Sequence, residues 1–124
     1  MMKSIMTHSA PAAIGPYSQA ALKNNTLFVS GQLGIDPNTG NMAEGFEAQA
    51  NLVFQHLKSI LEAAGMGMSH VMKVTVFLKD MNDFALLNEI YARNFSAPYP
   101  AREAIQVARL PKDGLVEISI IAMR

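Results

Sequence analysis

The sequence predicts an α+β fold, a mixed six-stranded sheet with two helices on one face. Three observations carry this prediction. Two long segments repeat apolar residues at steps of three and four, six shorter segments are rich in β-branched residues, and the two kinds follow the order β-β-β-α-β-α-β-β. The strand after each helix has to return to the same layer, so both helices are expected on one face of the sheet.

The first helix is predicted over residues 46–64, where Phe46, Ala50, Val53, Leu57, Ile60, Leu61 and Ala64 form one apolar stripe and Gly65 supplies a stop. The second is predicted over residues 82–94, with Phe84, Leu87, Tyr91 and Phe95 at the same step. Asn82 or Asp80 would cap it and Pro98 lies beyond its end. Strands are predicted over residues 3–8, 19–23, 26–32, 71–78, 101–108 and 115–122. Asn24-Asn25 reads as a hairpin turn, and Lys112-Asp113-Gly114 as another between the last two strands, with Arg109 before it as a solvated or subunit-bridging charge. No internal repeat, linker or low-complexity tract interrupts the chain, so residues 1–124 read as a single domain.

Composition excludes several function classes. Ten basic and ten acidic residues, without a Lys or Arg cluster, leave no electrostatic footprint for nucleic acid or an anionic membrane. No run approaches the roughly 18 uninterrupted apolar residues of a membrane span, and the first residues lack a signal peptide's apolar block, so a soluble cytoplasmic protein is expected. The absence of cysteine removes disulfides, thiolate nucleophiles and Cys-based metal sites. His8, His56 and His70 lie on different elements at no metal-ligand spacing, so no metal site is predicted. Gly31 to Gly34 misses the dinucleotide fingerprint, and the nine methionines read as core and interface filler.

Alternation then separates two faces of the sheet. Val116, Ile118 and Ile120 share one face, as do Ile105 and Val107, and these sets suit packing under the helices. The other face is expected to carry Arg102, Ala104 and Gln106 on one strand and Glu117, Ser119 and Ile121 on the next. In the strand over residues 26–32, Leu27, Val29 and Gly31 fall on one side and Phe28 and Ser30 on the other. A face that mixes Phe28, Phe77 and Ile121 with a few charges would be poorly hidden in a monomer, which points to a homo-oligomer burying it. Polar groups inside such an interface need partners or ligands, and Arg102 and Glu117 become site candidates.

The segment from Pro100 to Ile118, with its Pro-Ala-Arg start and its late Glu117, resembles the signature of the Rid family (RidA/YjgF type). So do, in order, the stretch from Ala10 to Gln19, Val29-Ser-Gly-Gln32, Leu61-Glu-Ala-Ala-Gly65 and the run from Lys73 to Phe84, which together cover nearly the whole chain. The resemblance implies a chorismate-mutase-like fold and a homotrimer whose sheets form an inner β-barrel, with clefts at the subunit interfaces. It implies hydrolysis of reactive 2-imino acids to 2-keto acids and ammonia, without a bound cofactor, on imines released by pyridoxal-phosphate-dependent Ser and Thr dehydratases. Carried over position by position, Arg102 corresponds to the family's carboxylate-binding arginine and Glu117 to the acid that handles the attacking water. Tyr17, Ser30, Gly31 and Asn88 match positions lining the family cleft. Relatives often carry Ser-Cys after the arginine, where this chain has Glu103-Ala104, so Ala104 brings a cleft without a thiol. Glu103 would project to the other face, at a sheet rim or paired.

Plainer readings exist for each residue. From the residues alone, an ion pair with Glu103, Glu117 or a neighbouring subunit is the stronger reading of Arg102, and the motif context reverses that order. Tyr17 reads as a loop aromatic, Ser30 as a strand serine, Gly31 as a β-bulge and Asn88 as a solvent-facing helix residue. The alternative function is a non-catalytic protein of the same fold that binds small carboxylates or regulates a partner. Ribonuclease activity has also been attached to the family, and the neutral charge balance argues against it.

Overall fold

Alternating and helical apolar patterns can be satisfied together only if every strand turns its apolar side toward the same two helices. The computed structural model, which describes residues 1–124, does this with eight principal elements. They are β1 (Lys3–Ile5), β2 (Ala20–Lys23), β3 (Thr26–Leu33), α1 (Phe46–Ala63), β4 (Val71–Leu78), α2 (Phe84–Asn94), β5 (Ala101–Gln106) and β6 (Val116–Met123). They form one six-stranded sheet in the order β1-β2-β3-β6-β4-β5. Only β4 and β5 pair in parallel, with α2 as the crossover between them; every other pairing is antiparallel. No helix is long and apolar enough to cross a membrane.

The core is the layer between the helices and the sheet. Val53, Phe54, Leu57, Ile60 and Leu61 of α1 and Leu87 and Ile90 of α2 lie in one cluster with Leu27, Val74, Val76, Val116 and Ile118. Fully burying each such side chain is worth about 1.5–3 kcal/mol, which makes this layer the largest stabilising term. At the end of β3, Gly34 admits α1 to close range, since a Cβ there would stand 2.5 Å from Gln49 Cα. Gln49 uses that proximity: its Nε2 donates to the Ala43 carbonyl and its Oε1 accepts from the Leu115 backbone N–H. At the far end, Gly65 takes a left-handed φ of 72° and Arg124 donates to the Ala64 carbonyl at 2.7 Å.

Two expectations change. The segment 112–114 does not make a hairpin, because β4 lies between β5 and β6. Residues 111–113 form a single 3₁₀ turn instead, with Lys112 and Asp113 both at φ 55° and an exposed Arg109–Asp113 ion pair across it. The parallel crossover through α2 leaves one edge of β4 for β5, and the last strand fills the slot between β3 and β4. The first strand also ends at Ile5 rather than reaching His8. There the buried Gln19 side chain takes over the Thr7 backbone, accepting from its N–H at 2.8 Å and donating to its carbonyl at 3.1 Å.

His56, on the core side of α1, is 1% exposed. Its Nε2 lies 2.7 Å from the Ile35 carbonyl, which can only accept, so Nε2 carries the proton; Nδ1 has no partner. Burial lowers its pKa below the usual 6.5, opposed by the carbonyls of Ile35 and Ser9 and by Asp36. A depressed folded-state pKa means that this contribution to stability is complete above pH 6.5 and is lost as the pH falls toward the folded value. The melting temperature of the protein should therefore drop on acidification below pH 6.5, and His56→Gln should show a shallower drop. Parallel melting curves for the two proteins across pH 5 to 8 would refute this.

Candidate functional site

Arg102 takes its direction from the parallel pairing of β5 with β4. Arg102 lies beside Val74 and Ala104 beside Val76, and both valines are fully buried beneath the helices. Arg102 therefore rises on the helix side, against α2. There Phe84, Asn88 and Tyr91 form one stripe at steps of four and three. The Arg102 Nη1 donates to Asn88 Oδ1 at 2.8 Å, and its Cζ stands 4.7 Å from the Tyr91 ring centroid and 5.4 Å from that of Phe84. Burial raises the Tyr91 phenol pKa, with the Arg102 charge acting in the opposite sense, and the hydroxyl has no hydrogen-bond partner. Ala104 packs on the same side against the core cluster. Arg102 makes no ion pair, so the salt-bridge reading of this residue is not realised within the chain.

Glu117 belongs to the other face. In β6, Val116, Ile118, Ile120 and Ala122 are buried under the helices, which turns Glu117, Ser119 and Ile121 outward. In β3, Leu27 and Val29 face the helices, but pairing with β6 then slips. Val29 opposes Ile120 and Gln32 opposes Ile118, leaving Ser30 and Gly31 together across from Ser119. This bulge reverses the parity of the strand. Gln32 goes into the buried layer, and Gly31 comes out beside Glu117 rather than staying with Leu27 and Val29. A Cβ on Gly31 would stand 2.8 Å from Glu117 Cδ, so a side chain here would displace the carboxylate from its place over this backbone. Glu117 makes no hydrogen bond or ion pair within the chain, and partial burial raises its pKa above the usual carboxylate value.

The bulge also seats Tyr17. The Ser30 N–H donates to the Gln19 carbonyl at 2.9 Å and the Ser30 hydroxyl to the Ser18 carbonyl at 2.6 Å, holding the preceding loop across β3. Tyr17, 54% exposed, then borders a cleft of about 430 Å³ with Ile14, Gly31, Leu33, Asp36 and Lys112.

The structure thus gathers Tyr17, Ser30, Gly31 and Glu117 at one place, and Arg102, Asn88 and Ala104 at another. The expectation that Arg102 and Glu117 share a face is corrected: they lie on opposite faces. One strand intervenes, about 10 Å across two strand spacings. Arg102 is level with Val74 and Glu117 with Phe77, a further offset of three residues along the strands. The apolar pair Ile105 and Val107 suggests the wrong phase for β5. Ile105 pairs with Phe77 on the open face and is 48% exposed; on this edge strand the residue that touches the core is the small Ala104. Glu103 does project to the opposite side from Arg102, at the sheet rim, and pairs with Lys73 at 3.0 Å. The spacing of Phe84 and Tyr91 in the sequence indicates a core stripe, and the step Phe84, Asn88, Tyr91 is also a stripe able to receive a cation. No group of three or more His, Asp or Glu converges to hold a metal.

Residues 7–124 match the family model described as Endoribonuclease L-PSP. A RutC family protein of Pyrococcus horikoshii is 52% identical over 125 residues, covering 100% of this chain and 99% of its own. The 2-iminobutanoate/2-iminopropanoate deaminase of Salmonella typhimurium is 47% identical over 127 residues, covering 100% of this chain and 99% of its own. The crystal structure of Escherichia coli TdcF with bound serine superposes with a TM-score of 0.95 at 45% identity, over 98% of each chain. Likeness of this extent, on the same sheet and helices, makes the chain a member of the Rid (RutC/RidA) family.

Proposed function

We propose that this protein is a hydrolytic 2-imino acid deaminase whose site is completed between two copies of the chain. The observation that carries the reading is the half-buried, unpaired Glu117 carboxylate against Gly31, which borders the cleft with Tyr17, while the Asn88-held guanidinium of Arg102 stands on the opposite face. Two copies in a homotrimer around an inner barrel bring the halves together. They also bury the open face that carries Phe28, Ile105 and Met123, each about half exposed in the single chain. Serine bound to TdcF, a relative at 45% identity, supports a cleft that accepts a small carboxylate.

The chemistry asks for an anchor and one proton carrier. Arg102 takes the substrate carboxylate through paired charge-assisted hydrogen bonds. Asn88 holds the guanidinium, and Tyr17, Ser30 and Gly31 wall the facing half. Glu117 accepts a proton from water as its oxygen bonds to the imine carbon, and the C=N π electrons move to nitrogen. The same carboxyl returns that proton to the nitrogen, giving a carbinolamine; it then takes the hydroxyl proton and passes it to the amine as the C–N bond breaks, so that ammonia leaves and the C=O of a 2-keto acid forms. A carboxyl raised above its usual pKa by burial is suited to both transfers. The pyruvate- and 2-oxobutanoate-derived imines of cytoplasmic pyridoxal-phosphate-dependent Ser and Thr dehydratases are the substrates that fit. Neither step calls on a cofactor.

In a threonine dehydratase reaction the protein should accelerate 2-oxobutanoate release, and Arg102→Ala should lower kcat/KM about a hundredfold, as expected for losing two charge-assisted hydrogen bonds. A folded protein that binds 2-oxobutanoate but leaves the release rate at its spontaneous value would instead favour the regulatory, carboxylate-binding reading. Arg102→Ala and Glu117→Gln should each retain no more than about a hundredth of the parent kcat/KM alone. Randomly mixed trimers of the two should regain about a quarter of the parent activity, because intact halves then meet at some interfaces; no recovery would place both groups in one copy. Since Glu117 loses its basic form as the pH falls through a raised pKa, the acid limb of kcat should lie above 4.5, the carboxyl's usual value. A limb at or below that value would remove Glu117 as the base.

A further inference from the structure

An arginine that must meet a carboxylate in one orientation gains from having its long side chain immobilised beforehand, because rotamer freedom otherwise has to be given up on binding. Three neutral contacts from α2 immobilise Arg102. Asn88 Oδ1 accepts from Nη1 at 2.8 Å, the Tyr91 ring centroid lies 4.7 Å from Cζ, and the Phe84 ring 5.4 Å. A ring contact restrains the plane of the guanidinium, and the hydrogen bond restrains its rotation within that plane. None of the three carries charge, so the cation stays available to an anionic ligand. An acid at the same distance would neutralise it.

Tyr91 differs from the other two contacts in what lies behind it. Its ring meets Phe54 edge-on at 6.1 Å and 79°, and Phe95 at 4.6 Å and 36°, and Phe54 is 1% exposed in the middle of the core. The plane of the Tyr91 ring is therefore set by the packing of α1 against α2, and it passes to the guanidinium above. The Tyr91 hydroxyl is buried with no hydrogen-bond partner, so within the chain the position uses its ring and leaves the oxygen idle.

We propose that Tyr91 is a positioning residue for the anchor: its core-fixed ring, assisted by Phe84, holds the Arg102 guanidinium in the plane that receives a substrate carboxylate. The inference rests on Arg102 being that anchor. The ring contact acts on ligand capture and leaves the proton transfers at Glu117 untouched, so its loss falls on KM and on carboxylate affinity rather than on kcat.

The test uses the full-length protein, with 2-oxobutanoate as the binding probe and the threonine dehydratase reaction for turnover. Tyr91→Leu removes the ring and keeps apolar bulk; it should weaken 2-oxobutanoate binding and raise KM, each by about fivefold, with kcat within about twofold. Tyr91→Phe, which restores the ring without the hydroxyl, should return both values to those of the parent. Phe84→Leu, at a half-buried position outside the packed aromatic trio, should shift KM in the same direction by a smaller factor, and it keeps the test open if Tyr91→Leu does not fold. A folded Tyr91→Leu or Phe84→Leu protein with parent affinity and KM would overturn the cradle, as would a Tyr91→Phe protein as impaired as Tyr91→Leu. If the parent binds 2-oxobutanoate through Arg102 but turns nothing over, the deaminase reading fails while the ring effect on binding is still measured.

Discussion

Every strand in a helix-covered sheet has a single choice of phase, and here that choice is made by the apolar layer under α1 and α2. Val74, Val76 and Leu78 of β4 and Val116, Ile118 and Ile120 of β6 are 2% exposed or less. A one-residue slip in either strand would bring Glu117 or Lys73 under the helices and put the valines and isoleucines outside, exchanging favourable burial for an unpaired buried charge. Once β4 and β6 are fixed, pairing hands the phase on. β5 follows β4 and sends Arg102 to α2, while β3 follows β6 until the bulge. The positions of the candidate site side chains are secondary consequences of this packing, set by neighbours buried in the core.

How much of this was legible in the sequence follows from how local each determinant is. The two helices could be read from Phe46 to Ala64 and from Phe84 to Phe95 because the three-to-four step and the Gly65 stop are properties of the segment itself. The strands of the sheet could be read for the same reason, and so could the outward side of Glu117, whose flanking Val116 and Ile118 are strongly apolar. The side taken by Arg102 could not. β5 is an edge strand with little burial on either face, so its own hydrophobic pattern pointed to Ile105, whereas its phase is imposed by β4, more than twenty residues away. Gly31 divides in the same way. Its reading as a β-bulge holds, whereas the face given it by unbroken alternation does not, because pairing with Ser119 decides where the count breaks.

The electrostatics show the same division between core and margin. Glu103 and Lys73 sit on the open face at the sheet rim and neutralise each other there, a pair between partly exposed groups whose value for stability is small. Glu117 and Arg102 have no such partner within the chain. A carboxylate raised by burial and a guanidinium braced by neutral groups are both left uncompensated, on opposite sides of the sheet, where each can act on a molecule other than its own chain. In a family whose members include named imine deaminases, that imbalance gives the likeness a physical content beyond shared sequence.

The extra residue in β3 separates two demands that usually coincide. Deleting Ser30 or Gly31 would restore an unbroken ladder between β3 and β6 and return the strand to simple alternation, the outcome that hydrogen bonding alone favours. The same deletion would take away the carboxylate's seat and the two Ser30 contacts that hold the loop of Tyr17. A shortened chain could thus pair its strands better than the parent while losing the geometry of the cleft. Regular strand pairing and this cleft thus make opposite demands on one position, and the bulged β3 satisfies the second at the expense of the first.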